Sequence, residues 1–199
     1  MNKHNIKEMD LYKSTNRFIK NYNYLKDKLK RQPTIEELSD FDHLHYNGIS
    51  TVEKAISKTN INDKSVVLDI GSGIGGPARY IASKTKAKIY AVEIQSELNN
   101  IGLALTNDYK LEKYIKHLKA DILEYDFSEK YFDNIVSWLA LYHISERPKL
   151  LKKLYYLLKK DGYFYTEDFF LNSSIKEKDK KILSQSFHAN HLVEYEIYL

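Results

Sequence analysis

The chain predicts an α/β fold, a mostly parallel sheet with helices on both faces, preceded by a helical extension. Three observations carry this. From residue 66, short apolar runs alternate with stretches of helical periodicity, as strands joined by right-handed crossovers do. A turn with four glycines in six positions follows the first run. Residues before 60 show helical patterning only. At 199 residues, a single core can bury about 70% of the unfolded surface. The extension (1–60) and the sheet-bearing part (61–199) are therefore expected to form one globular unit.

The elements follow in order. Leu11, Phe18, Tyr22, Leu25 and Leu29 recur at helical spacing among lysines, predicting an amphipathic helix over 7–30. Thr34 with Glu37 and Ser50 with Glu53 read as capping boxes at two helix starts. Between them runs a polar aromatic loop, Asp42 to Gly48. Val66–Ile70 is a strand, Pro77–Ser83 a helix, Ile89–Val92 a strand and Ser96–Asn107 a helix. Ile115–Leu118 and Ile135–Trp138 are strands, Arg147–Leu158 a helix and Tyr163–Phe169 a fifth strand. In such sheets a ligand sits beyond the carboxyl ends of the strands, where strand order reverses.

Composition excludes several functions. With 31 basic and 27 acidic residues (net +4) and no cysteine, there is no disulfide framework, thiolate nucleophile or zinc ribbon. His43 and His45 lack a third ligand, so no metal is expected. Charges of both signs are interspersed, unlike a basic nucleic-acid arm, and nucleic acid is not expected as a partner. No apolar run approaches the roughly 18 residues of a membrane span, and the polar start from Met1 to Asp10 lacks the apolar centre of a secretory signal. A cytoplasmic protein without membrane contact is expected.

The glycine turn reads Asp69-Ile70-Gly71-Ser72-Gly73-Ile74-Gly75-Gly76-Pro77. Its glycines permit positive φ and close approach of a ligand to the backbone, and Pro77 sits where a helix start tolerates a missing donor. Gly71, Gly73 and Gly76 also fit G-x-G-x-x-G, so a dinucleotide site, and with it an NAD-dependent oxidoreductase, stays open. Two acids bear on the choice. Asp69 precedes the turn, where it would repel a pyrophosphate but suit S-adenosylmethionine, which carries a sulfonium, an ammonium and no phosphate. Glu93 ends the second strand, 22 residues after Gly71, where a carboxylate can accept from both ribose hydroxyls of either cofactor.

The runs VVLDIGSGIGGPARYIA, IYAVEIQ, KADILEYDF, FDNIVSWLALYHI and LKKDGYFYTEDFF, over residues 66–170, resemble the ordered motifs of the class I S-adenosylmethionine-dependent methyltransferases. Within that superfamily the chain resembles small-molecule members with an N-terminal helical lid, such as the glycine/sarcosine and phosphoethanolamine enzymes. The resemblance implies a Rossmann-like fold and a cofactor site. Asp69, Gly71, Ser72, Gly73 and Gly75 would hold the methionine part, and Glu93 the ribose. Ile94 and Gln95 would lie beside the adenosine, with Asp121 at the adenine amino group and Ile122 against its ring, and Trp138 is grouped with these cofactor residues. Local roles compete: Asp69 can cap loop amides, and Asp121 can start a turn.

On the acceptor side, the chain lacks the Asn/Asp-Pro-Pro-Tyr sequence of enzymes that methylate planar amide or adenine nitrogens. His143 falls where the phosphoethanolamine enzymes have a histidine, and Tyr46 at their site-closing tyrosine, which implies catalytic roles for both. Leu139 replaces a carboxylate of their acceptor site. Helix capping by His143 and lid packing by Tyr46 are the alternatives. Trp138, Tyr142 and Tyr46 can form an aromatic wall for a cationic amine, at about 0.5–2 kcal/mol per contact.

Only 29 residues follow Phe170, too few for the further helix and hairpin that usually end this fold. Ile175–Phe187 reads as a helix, and Val193, Tyr195, Ile197 and Leu199 alternate as in a strand. The terminal strands are thus expected to be incomplete, leaving the fifth strand as an edge where a homodimer can form. The expected function is methyl transfer to a small polar or amine-bearing acceptor. A scaffold that binds the cofactor with little or no activity is the alternative.

Overall fold

Five strands, Val66–Ile70 (β1), Lys88–Glu93 (β2), Ile115–Lys119 (β3), Phe132–Trp138 (β4) and Leu158–Glu167 (β5), pair in the order β3-β2-β1-β4-β5. Every pairing is parallel. The chain moves outward from β1 to β3, then returns to lay β4 on the other side of β1. That reversal opens a crevice at the carboxyl ends of β1 and β4. The structure, a computed structural model, describes residues 14–172 and 174–198. Leu11 and the predicted first turn of the N-terminal helix, as well as Leu199, lie outside the described residues.

β1 is almost wholly apolar because both of its faces are covered. On one face Val67 packs with Ala78, Ile81, Ile89 and Val136 beneath the helices Ile49–Lys58 (α3) and Gly76–Thr85 (α4). On the other, Leu68 and Ile70 pack with Ile135, Leu150 and Leu154, the last two from Arg147–Leu157 (α6). A third cluster joins the N-terminal helices to the sheet domain. Phe18 and Tyr22 of Asn16–Leu29 (α1) and Leu38 of Ile35–Asp42 (α2) meet Ile74 of the glycine turn and Leu98 and Leu105 of Ser96–Asp108 (α5).

α2 starts at the predicted capping box. Glu37 N donates to Thr34 Oγ1 at 3.2 Å, and Thr34 N to Glu37 Oε2 at 2.7 Å. Ser50 and Glu53 do not form the second one. α3 begins two residues earlier than that box requires, after Gly48 at φ +48°. Ser50 Oγ then donates to Asn47 O at 2.7 Å, and Glu53 accepts from Tyr80 OH at 2.7 Å. A long-range tyrosine has taken the carboxylate that the local pattern assigned to the cap.

Beyond β5 the chain forms helix Glu177–Ser186 (α7) and a single turn, Tyr195–Tyr198 (α8). The strand expected over 193–199 reduces to one bridge, Leu171 to Glu194. A strand needs a neighbour to satisfy its backbone, and this segment docks elsewhere: Asn190 N and His191 N both donate to Tyr142 O, at 3.0 and 2.8 Å. Tyr195 and Ile197 stay exposed, with no surface to bury the predicted face. Among the described residues no hairpin completes the sheet, and β5 is an edge strand presenting Tyr163 and Phe164. No helix among them is long and apolar enough to cross a membrane.

Candidate active site

A cavity of about 620 Å³ opens at the carboxyl ends of β1, β2 and β4. The 42–46 loop forms one wall, and the tail contributes Phe187 and Asn190. Its floor is the glycine turn. Gly71, Gly73 and Gly75 have φ of +68°, +55° and +77°, conformations L side chains rarely adopt. At Gly71 a Cβ would also collide with the Cβ of Ala140, so the turn nests directly against the segment after β4.

Two hydrogen bonds fold this turn over β2: Gly71 N and Ser72 N donate to Val92 O at 2.9 and 3.1 Å. The Glu93 carboxylate then ties it down, accepting from Gly73 N at 3.0 Å and from Gln95 N at 2.8 Å. Burial pushes the Glu93 carboxyl upward, while these backbone amides pull it back. Asp69 lies next to it, 1% exposed, and its Oδ2 has no partner. Burial, reinforced by the charge of Glu93, lifts the Asp69 carboxyl to about 8. Ser72 Oγ is likewise buried without a partner. Each such group costs about 1–3 kcal/mol unless a ligand satisfies it. Orphaned acceptors on a floor of bare backbone suit a ligand with cationic and donor groups, as S-adenosylmethionine has.

The other cofactor candidates divide. Ile94, Asp121 and Ile122 line the cavity. Asp121 also serves locally, its Oδ1 accepting from Leu123 N at 2.8 Å. Gln95 and Gly75 lie behind the wall, Gln95 through its amide on Glu93 and Gly75 against the His117 ring. Trp138, grouped by sequence with the cofactor residues, stands with the acceptor-side aromatics. Its indole stacks on His45 at 5.7 Å.

On that side Tyr46 is 59% exposed and meets Phe169 edge-on at 6.0 Å. His143 belongs to a 3-10 turn, Leu141–His143, and its ring lies 4.0 Å from that of Tyr142. His143 Nδ1 is 3.0 Å from His188 O. A carbonyl only accepts, so Nδ1 carries the proton and Nε2 is the basic nitrogen of the neutral ring. Burial depresses the His143 imidazole, although the His188 carbonyl and Asp168 oppose this. The ring is therefore neutral at pH 7. No group of three or more potential metal ligands occurs among the described residues.

Sequence reasoning missed the brace behind the site. Arg79 is fully buried, donating to Asp42 Oδ2 at 2.8 Å and to Ile74 O at 2.7 Å. It fastens the N-terminal helices to the glycine turn. In sequence it is one arginine of a helix, and nothing local marks Asp42, 37 residues away, as its partner. The tail's position on His143 was equally hidden.

A family model described as a methyltransferase domain matches residues 68–166. The phosphoethanolamine N-methyltransferase of Plasmodium falciparum is 30% identical over 154 residues, which are 76% of this chain and 56% of that protein. A sterol 24-C-methyltransferase of Clavispora lusitaniae is 27% identical over 124 residues, 62% of this chain and 33% of that one. The chain thus spans between a third and just over half of these two relatives. In fold, it matches Haemonchus contortus phosphoethanolamine N-methyltransferase 2 in complex with S-adenosyl-L-methionine at a TM-score of 0.78 and 18% identity, over 99% of this chain and 42% of that one. Residues 68–166 thus match a methyltransferase domain, and in sequence and fold the chain is similar to the S-adenosylmethionine-dependent phosphoethanolamine enzymes.

Proposed function

We propose that this chain transfers a methyl group from S-adenosylmethionine to the nitrogen of a small amine-bearing acceptor. The observation that carries the reading is the buried Asp69 carboxyl beside the glycine turn, its Oδ2 without a partner, with Glu93 alongside. Asp69, Gly71, Ser72 and Gly73 would seat the methionine part, with Gly75 holding the turn's shape. Glu93 would take the ribose, Ile94, Asp121 and Ile122 would take the adenosine, and Gln95 would support Glu93 from behind.

The bound cofactor supplies an electrophilic methyl group on positively charged sulfur. The protein's part is largely placement, because holding two reactants in line accounts for much of such a rate. An ammonium must lose a proton before its nitrogen can attack. His143 Nε2 is the base this reading assigns, held in the required tautomer by the His188 carbonyl. Tyr46 would close over the acceptor, and Trp138 and Tyr142 would form an aromatic wall for its charge. Phosphoethanolamine N-methyltransferases among the relatives support an amine as the acceptor.

Incubation with methyl-labelled S-adenosylmethionine and a panel of primary amines tests the reading. Labelled N-methyl product, lost in His143→Ala, is expected; label that appears only on oxygen or carbon acceptors would overturn it.

A further inference from the structure

Resting on the methyl-transfer reading, we infer that the acceptor is an amine without a phosphate group, because the described residues that line the cavity are acidic and aromatic and offer an anion no cation. The acidic side chains lining it are Asp42, Asp69, Glu93, Asp121 and Glu146; among the described residues no lysine or arginine joins them. Two buried guanidiniums lie close by, and both are engaged behind the wall. Arg79 is held by Asp42 and the carbonyls of Ile74 and Gly102, and Arg147 pairs with Asp168 at 3.1 Å. At the rim, Lys149 is shared between Glu124 at 2.8 Å and Glu146 at 3.8 Å.

The lining histidines supply no charge either. Burial lowers the proton affinity of His43, His45 and His143, so they are neutral at pH 7. A phosphomonoester carries close to two negative charges at that pH and is ordinarily met by arginine or lysine. Here it would be desolvated among aromatic rings. Glu146 lies only three residues beyond His143, where it would repel the anion. An ammonium fits the same surroundings, with carboxylate at the rim and the rings of Tyr46, Trp138, Tyr142 and Phe169 for cation-π contact. Specificity of this kind comes as much from rejecting the wrong charge as from attracting the right one.

The test is calorimetric titration of the S-adenosylhomocysteine-loaded chain with ethanolamine, 2-phenylethylamine and phosphoethanolamine at pH 7.5. At least one phosphate-free amine is expected to bind about tenfold or more tighter than phosphoethanolamine. Glu146→Lys should narrow or reverse that ratio. Binding of phosphoethanolamine equal to or tighter than both other amines, or no binding by any of the three, would overturn the inference while leaving methyl transfer standing. Failure of S-adenosylhomocysteine itself to bind would instead remove the methyl-transfer reading, and this inference with it.

Discussion

With Asp69 seated against the cofactor as proposed, binding is a titration. Burial and the neighbouring Glu93 charge lift its carboxyl to about 8, so the side chain is mostly protonated at pH 7. A sulfonium or ammonium beside it favours the ionised form, so binding expels a proton. The sign follows: the bound state holds fewer protons, and affinity rises with pH until the carboxyl of the free chain has ionised. Ionising Asp69 against a value near 8 costs about 1.4 kcal/mol at pH 7 and about 2.7 kcal/mol at pH 6. Affinity for S-adenosylmethionine should therefore fall by roughly 20- to 30-fold between pH 8.5 and 6.5. Titration calorimetry in buffers of different ionisation enthalpy measures this directly, and about one proton should be released per ligand near pH 7. Asp69→Asn keeps the shape and removes the ionisation, which separates this effect from titration of the ligand's own amine. The variant should bind more weakly at pH 8.5 and show a much flatter profile. A wild-type profile no steeper than that of Asp69→Asn would refute the reasoning.

Three further outcomes are expected. Glu93→Ala loses both a charged acceptor and the bond to Gly73 N, and should weaken cofactor binding by about 1.5–3 kcal/mol; unchanged affinity in the same calorimeter would remove Glu93 from the site. His143→Ala should lower kcat by about 10²-fold or more with little change in cofactor affinity. Because burial depresses the His143 imidazole, the acid limb of wild-type kcat should lie below the ordinary histidine range, and a parallel loss of kcat and affinity in His143→Ala would mark a structural residue. Asp42→Ala leaves the Arg79 guanidinium buried without its carboxylate and should cost about 3–5 kcal/mol in urea unfolding; a loss below about 1 kcal/mol would show that water or the backbone replaces the partner.

The legible part of this fold lies where local chemistry and tertiary need coincide. The run from β1 through the glycine turn to Glu93 could be read from the sequence because a doubly covered strand is apolar throughout, and a turn with positive φ selects glycine. Its acids stand out by position alone, and in the structure Asp69, Glu93 and Asp121 do surround one cavity with Tyr46 and His143. What stayed hidden depends on partners distant in sequence. Ser50 and Glu53 satisfy the capping pattern, yet Tyr80 claims the carboxylate. Val193 to Leu199 alternate like a strand, but the preceding residues are held on Tyr142 O and no neighbouring strand receives them. Arg79 and Asp42 carry no local signature at all. At Asp69 the sequence implies a fixed negative charge, whereas burial raises the carboxyl so that its charge at pH 7 depends on what lies beside it.

On the proposed reading, this floor of glycine backbone, with one acid beneath and another at its side, selects a sulfonium-bearing nucleoside over a diphosphate. Parallel calorimetric titrations of the chain with S-adenosylmethionine and with NAD at pH 8 measure that choice. One equivalent of S-adenosylmethionine bound, with no heat from NAD, is the predicted result; binding of NAD with none of S-adenosylmethionine would contradict it.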